Sequence, residues 1–178
     1  MSERYVAFLR GINLGRRRAS KEQLAAIFEG LGFENVKTLI ASGNVVFDAP
    51  KRAESALTET IQDGLQAGLG FKVDTMLRSM AEVETLLDRD PFAGIEVTKQ
   101  TRRYVTLLSA KTTSTLQLPH EVLDGALRVL SRTDREVFSV VTVSEGRGTV
   151  DAMGLIEKEY GKTVTTRNWN TIEKLRGM

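Results

Sequence analysis

Val36-Lys37-Thr38-Leu39-Ile40-Ala41-Ser42-Gly43-Asn44-Val45-Val46-Phe47 reads as a β-hairpin, with strands at Val36–Ile40 and Asn44–Phe47 around the turn Ala41-Ser42-Gly43. Its flanks make it decisive. Upstream, Tyr5–Leu9 is a continuous apolar run, as expected of a strand covered on one face and flanked on both edges. Between that strand and the hairpin, Ser20-Lys21-Glu22-Gln23 has capping-box spacing, in which the Ser hydroxyl accepts the third helical N–H and Gln reaches back to the cap. Leu24, Ile27, Phe28 and Leu31 follow at helical spacing, and Gly32 suits the left-handed stop.

Downstream, a helix after Pro50 carries Leu57, Ile61 and Leu65 on one side, and Gly68 and Gly70 release the chain. Phe71, Val73, Thr75 and Leu77 alternate with Lys72, Asp74, Met76 and Arg78, the pattern of a half-buried strand. Ser79-Met80-Ala81-Glu82 is a second capping box opening a helix with Val83, Leu86 and Leu87, stopped by Asp90-Pro91. Two successive strands between helices give strand, helix, strand, strand, helix, strand, the ferredoxin-like order.

The polar stretch Glu96–Thr101 is the expected domain boundary. Beyond it come a strand at Arg103–Ser109, a Thr- and Ser-rich loop, and at most a short helix at Glu121–Leu123. A second hairpin, Leu127–Ser131 and Glu136–Val143, turns at Thr133-Asp134, and Gly146-Arg147-Gly148 forms a loop. A helix over about Asp151–Tyr160, a short strand at Lys162–Thr165 and a last helix after Thr166 complete the chain. The expectation is an α+β protein of two ferredoxin-like portions in tandem, residues 1–95 and 102–178, the second with a shortened first helix.

Composition narrows the function. The chain has 178 residues with a formal charge of +2 and 41% hydrophobic residues, enough for a real core and unlike a disordered acidic chain or a polycation. Without cysteine, disulfides, thiolate metal sites and a Cys nucleophile are excluded. The polar start Met1-Ser2-Glu3-Arg4 and the lack of an apolar run of about 18 residues predict a cytoplasmic protein with no membrane partner.

Charge is uneven. Arg4, Arg10, Arg16, Arg17, Arg18 and Lys21 stand against Glu3 alone in residues 1–21, a local +5 that leaves −3 for the remainder. In a ferredoxin-like sheet the end of the first strand, Arg10-Gly11-Ile12-Asn13, lies beside Ser42-Gly43-Asn44 and near the start of the fourth strand, expected at Gly68-Leu69-Gly70. Three loops then converge on a positive edge, a cradle suited to phosphate because the planar Arg fork donates two parallel hydrogen bonds. The plainer reading carries more weight: glycines placed for turns, Asn13 and Asn44 bonding local backbone, and a solvated arginine loop.

Tyr5–Gly15, Ser42–Phe47 and Thr165-Thr166-Arg167-Asn168-Trp169-Asn170-Thr171 together resemble the DUF1697 family, bacterial proteins of about this length and of unknown function. The resemblance implies an α+β fold with two ferredoxin-like portions, and no reaction. One departure is that Arg16-Arg17-Arg18 follows Gly15 where the family is commonly Gly-rich, which adds charge and argues against close backbone approach to a ligand.

No catalytic constellation is visible. His120, the only histidine, reads as a solvated loop residue, and no cluster suggests a metal or other cofactor. Thr166 is a natural helix cap and Trp169, Ile172 and Leu175 share a face, so Trp169 reads as an anchor rather than a base-stacker, while Arg167, Asn168 and Asn170 could present donors at a helix N-terminus. An RNA-recognition sheet would need exposed aromatics, for which Tyr5, Phe8 and Phe47 are the candidates, and the RNP signature is missing.

Three readings remain. The first is a binding module for a phosphate-bearing partner, nucleic acid foremost, through Arg10, Asn13, Arg16, Arg17, Arg18, Ser42 and Asn44, with Arg167, Asn168 and Asn170 if the last helix packs near. The second is an enzyme or sensor for a small anionic metabolite in an inter-domain cleft. The third is a structural or homo-oligomeric interaction protein pairing through edge strands, and the sequence leaves the oligomeric state open.

Overall fold

The capping box at Ser20 forms as its spacing requires: Gln23 N donates to Ser20 Oγ at 3.1 Å, and Ser20 N to Gln23 Oε1 at 2.9 Å. These bonds open α1 (Lys21–Gly30) in a computed structural model that describes residues 1–39, 43–144 and 151–178. Around α1 the first unit contains β1 (Ser2–Leu9), β2 (Glu34–Leu39), β3 (Asn44–Pro50), α2 (Glu54–Leu69) and β4 (Thr75–Ser79). Its strands are antiparallel in the order β2-β3-β1-β4. Leu24 and Phe28 of α1 and Leu57, Ile61 and Leu65 of α2 bury against Tyr5, Ala7, Leu9, Val45, Phe47 and Leu77 of one sheet face. Each of the Leu, Ile, Val and Phe side chains contributes about 1.5–3 kcal/mol on leaving water.

Three expectations change here. Val6, Phe8, Val46, Met76 and Arg78, on the alternate positions, are buried as well, so β1 is buried on both faces rather than one. That is the setting in which a strand needs a continuous apolar run. The fourth strand begins at Thr75, not Phe71, and its residues Thr75–Arg78 are all buried, so alternation did not mark a solvent face. Gly68 lies inside α2, and Gly70 alone ends that helix in the left-handed conformation.

The second capping box also forms, with Glu82 N bonding Ser79 Oγ at 3.2 Å and Ser79 N bonding Glu82 Oε2 at 2.8 Å, and it opens α3 (Met80–Asp88). The chain divides into two compact units, Met1–Val83 with Met178, and Glu84–Gly177. The division falls within α3, and the polar stretch 96–101 leads into the first strand of the second unit.

That unit contains β5 (Thr101–Leu108), β6 (His120–Val122), β7 (Leu127–Arg132), β8 (Glu136–Thr142), α4 (Ala152–Tyr160), β9 (Val164–Asn168) and α5 (Trp169–Glu173). Its sheet is antiparallel in the order β6-β7-β8-β5-β9. The expected short helix at Glu121–Leu123 is instead strand β6, paired His120↔Val129, Glu121↔Arg128 and Val122↔Leu127. Three residues cannot close a helical turn with a bond to spare, whereas the edge of β7 satisfies their backbone at once.

The last strand also runs further than expected, to Asn168, so Thr166 is not the helix cap. Its hydroxyl bonds Thr106 Oγ1 at 2.8 Å across the β5–β9 pair, and Asn168 caps α5. Trp169, Ile172 and Leu175 face inward as their spacing implies, with Trp169 packed on Phe92 and Phe138.

Candidate functional site

Where β1 ends, its backbone is held from both sides: Leu9 N donates to Gly43 O and Arg10 N to Asp74 O, both at 2.8 Å. The end of the first strand therefore meets the starts of β3 and β4, and the β4 partner is Asp74-Thr75 rather than Gly68–Gly70. Gly43 allows the approach: a Cβ there would sit 3.1 Å from Leu9 Cβ and 3.3 Å from Ile12 Cβ, at a φ of +75°.

The chain then forms a closed loop. Buried Ile12 and Ala19 pin its two ends, and Asn13 Oδ1 accepts from Ala19 N at 3.1 Å. Within it, Arg17 N donates to Leu14 O at 3.0 Å around Gly15, whose φ of +56° at the first central position follows the type II′ pattern. Leu14 to Arg18 are all exposed, Leu14 by 68%. Arg18 Nη1 lies 3.5 Å from Asn13 O, and the Arg17 guanidinium lies over the Phe71 ring with its carbon 5.6 Å from the centroid. Among the described residues none of Arg16, Arg17 and Arg18 is ion-paired.

Not every candidate residue points outward. Arg10 is half-buried at the loop's entry. Asn44 is 1% exposed, with its amide donating to Leu39 O at 3.2 Å, and so clasps the hairpin from inside. Ser42 lies outside the described residues, as does the Gly146-Arg147-Gly148 loop.

Arg167, Asn168 and Asn170 belong to the second unit and serve its strand–helix junction. Arg167 is 7% exposed on β9; Nη1 bonds Thr165 Oγ1 at 2.6 Å, and burial pushes its pKa down to about 10. Asn168 Oδ1 accepts from Asn170 N at 3.0 Å as the cap of α5. Asn170 Oδ1 accepts from Arg103 Nη2 at 2.8 Å, and the Arg103 guanidinium also reaches Glu173 and lies over Phe92. Trp169, 2% exposed, is an anchor with no face open to a base.

Residues 2–138 match the family described as protein of unknown function (DUF1697). The chain belongs to that family. The matched segment contains the arginine loop and β3, whereas the Thr165–Thr171 motif falls beyond it. No curated protein matches. Among solved structures, a conserved bacterial protein from Streptococcus pneumoniae aligns with a TM-score of 0.72 at 22% identity, over 98% of this chain and 97% of that one, a likeness of fold alone.

Elsewhere this DUF1697 chain offers little chemistry. His120 is placed in β6 and not in a loop. Among the described residues no three His, Cys, Asp or Glu side chains are grouped to hold a metal ion, and no helix is long and apolar enough to cross a membrane. A cavity of about 210 Å³ beside Lys111, Ser114, Glu159, Tyr160 and Lys162 has several of its polar groups already committed to pairs. There Ser114 Oγ donates to Glu159 Oε1 at 2.5 Å, and Lys111 pairs with Asp134 at 3.2 Å.

The sheet aromatics are equally committed: Tyr5 and Phe47 stack at 5.9 Å inside the helix-covered core, beside Phe28 and Phe33. Phe71 is the residue of the loop neighbourhood that sequence reasoning assigned only to a strand. Its one local signal is its position directly after the helix-ending Gly70.

Proposed function

We propose that this protein is a binding module for a phosphate-bearing partner, nucleic acid foremost, and that residues 10–18 are its contact loop. The observation that carries this reading is three adjacent exposed arginines on a closed loop with no ion pair among the described residues. Arg4, by contrast, is committed to Asp48 at 2.6 Å. A planar fork on a backbone held by Asn13 and the Leu14–Arg17 turn loses little freedom on meeting a phosphate. Arg10 and Asn13 frame the loop; Arg167, Asn168 and Asn170, committed to their own junction, are left out of it.

The same reading takes the two units as ferredoxin-like portions over residues 1–95 and 102–178. The order β2-β3-β1-β4 with helices after β1 and β3 supports it for the first, and β7-β8-β5-β9 for the second, with β6 where a first helix would stand.

The test is fluorescence anisotropy at low salt with short single-stranded RNA and DNA, beside nucleotides, sugar phosphates and inorganic phosphate. Binding that weakens as salt rises, and falls at least tenfold in R16E/R17E/R18E, is the expected result. The loop is exposed, so the variant's circular dichroism should match wild type. Unchanged oligonucleotide binding by the folded variant would sink the proposal.

A further inference from the structure

The arginine loop does more than gather charge, because one of its three guanidinium groups is already laid on an aromatic ring. Arg17 Cζ stands 5.6 Å from the centroid of Phe71, within cation–π range. Phe71 is half-buried and packed against the first unit's core, so the ring is a fixed floor. The Arg17 backbone is fixed as well, through its N–H to Leu14 O at 3.0 Å. On another side Arg17 Nη1 lies near Gly11, whose φ of +72° favours glycine there: a Cβ at that position would sit in ordinary contact, 3.4 Å from Nη1. Even so, Arg17 remains exposed.

We infer that Arg17, seated on Phe71, is a stacking shelf for one unpaired nucleobase, with Arg16 and Arg18 taking the flanking phosphates. This rests on the phosphate-binding reading above and narrows it to single-stranded nucleic acid. Guanidinium planes stack on base faces as they do on aromatic rings, and a base offers its face only when freed from its neighbours in a duplex. A plane seated on a ring with its far side exposed is suited to this in a way that a freely waving lysine is not. Tyr5, Phe8 and Phe47 of the sheet are all buried and offer no face for such stacking, whereas Arg17 is exposed.

The decisive experiment compares two probes of equal length and charge: a single-stranded oligothymidine and the same sugar–phosphate chain without bases. The expected result is that wild type binds the base-bearing strand about tenfold more tightly, within the range of one base stack. R17K keeps the charge and loses the plane, so it should bind both probes equally, at the baseless level. A 2-aminopurine placed in the strand should be quenched by wild type and not by R17K. F71L should narrow the preference in the same direction, and R17K guards the test should F71L disturb the core. If wild type binds both probes alike, the shelf is wrong and the phosphate reading survives. If it binds neither, both fall.

Discussion

Asp48 shows how a single carboxylate is tuned by the strand opposite it. Burial pushes its pKa up, but hydrogen bonds from Asn35 Nδ2 at 2.7 Å and Arg4 Nη1 at 2.6 Å, with the charges of Arg4 and Lys37, hold it below the ordinary 3.8. A pKa lowered by folding stabilises the fold fully above the unfolded value, and that contribution drains away as pH falls through the folded one. Asp48→Asn should therefore cost about 1 kcal/mol near neutral pH, and the gap from wild type should close in acid, once the pH has fallen through the lowered folded pKa. Urea unfolding at the two pH values checks this, and a gap that stayed constant would show that the carboxylate's charge is not what matters. The pair was not legible as such in the sequence. Arg4 counts toward a local surplus along the chain, yet its partner is supplied across the β1–β3 register, where Arg4 faces Asp48. Arg78 and Arg167 hid in the same way: both read as solvent-facing or ligand-facing, and both are buried, because local alternation records charge but not what lies over it.

At the scale of elements, α1 and α2 meet across two glycines. An added Cβ on Gly64 would come within 2.8 Å of Leu31 Cδ1, and on Gly68 within 2.6 Å of Ile27 Cδ1. These positions give up about 1 kcal/mol of helix propensity each so that α1 can lie close. Gly64→Ala should accordingly destabilise wild type by up to about 2 kcal/mol, overpacking outweighing propensity, and should stabilise a Leu31→Ala background by about 1 kcal/mol. A double-mutant cycle by chemical denaturation reads the reversal of sign, and additive effects would refute the contact. The helices themselves were legible, down to both capping boxes, because a cap depends on residues three apart and on little else. Among the elements misjudged, β6 and β9 were decided at long range. β6 is too short to show a period, and β9 extends to Asn168 because β5 offers it partners as far as Tyr104.

For the whole molecule, the net charge of +2 conceals a basic first loop and a remainder that is acidic in sum. The order of strands in the first unit and the loop at the end of β1 could be read from the sequence, since hairpins and capped helices leave few topologies and the arginines are consecutive. Phe71 could not, since only the folded chain brings it under Arg17. If binding is local to that loop, overall charge should matter less than where the charge sits. Two double variants remove the same formal charge: Arg16→Gln with Arg18→Gln, and Lys158→Gln with Lys174→Gln at exposed positions of the second unit. For a single strand each lost phosphate contact lowers the salt slope of the logarithmic affinity by about 0.7. The arginine pair should thus lose about 1.4 from the slope, and the lysine pair should leave it unchanged. Affinity titrations at several salt concentrations separate the cases. Equal losses from both pairs would mean that the partner senses a diffuse field, and the loop would then have no special claim to it.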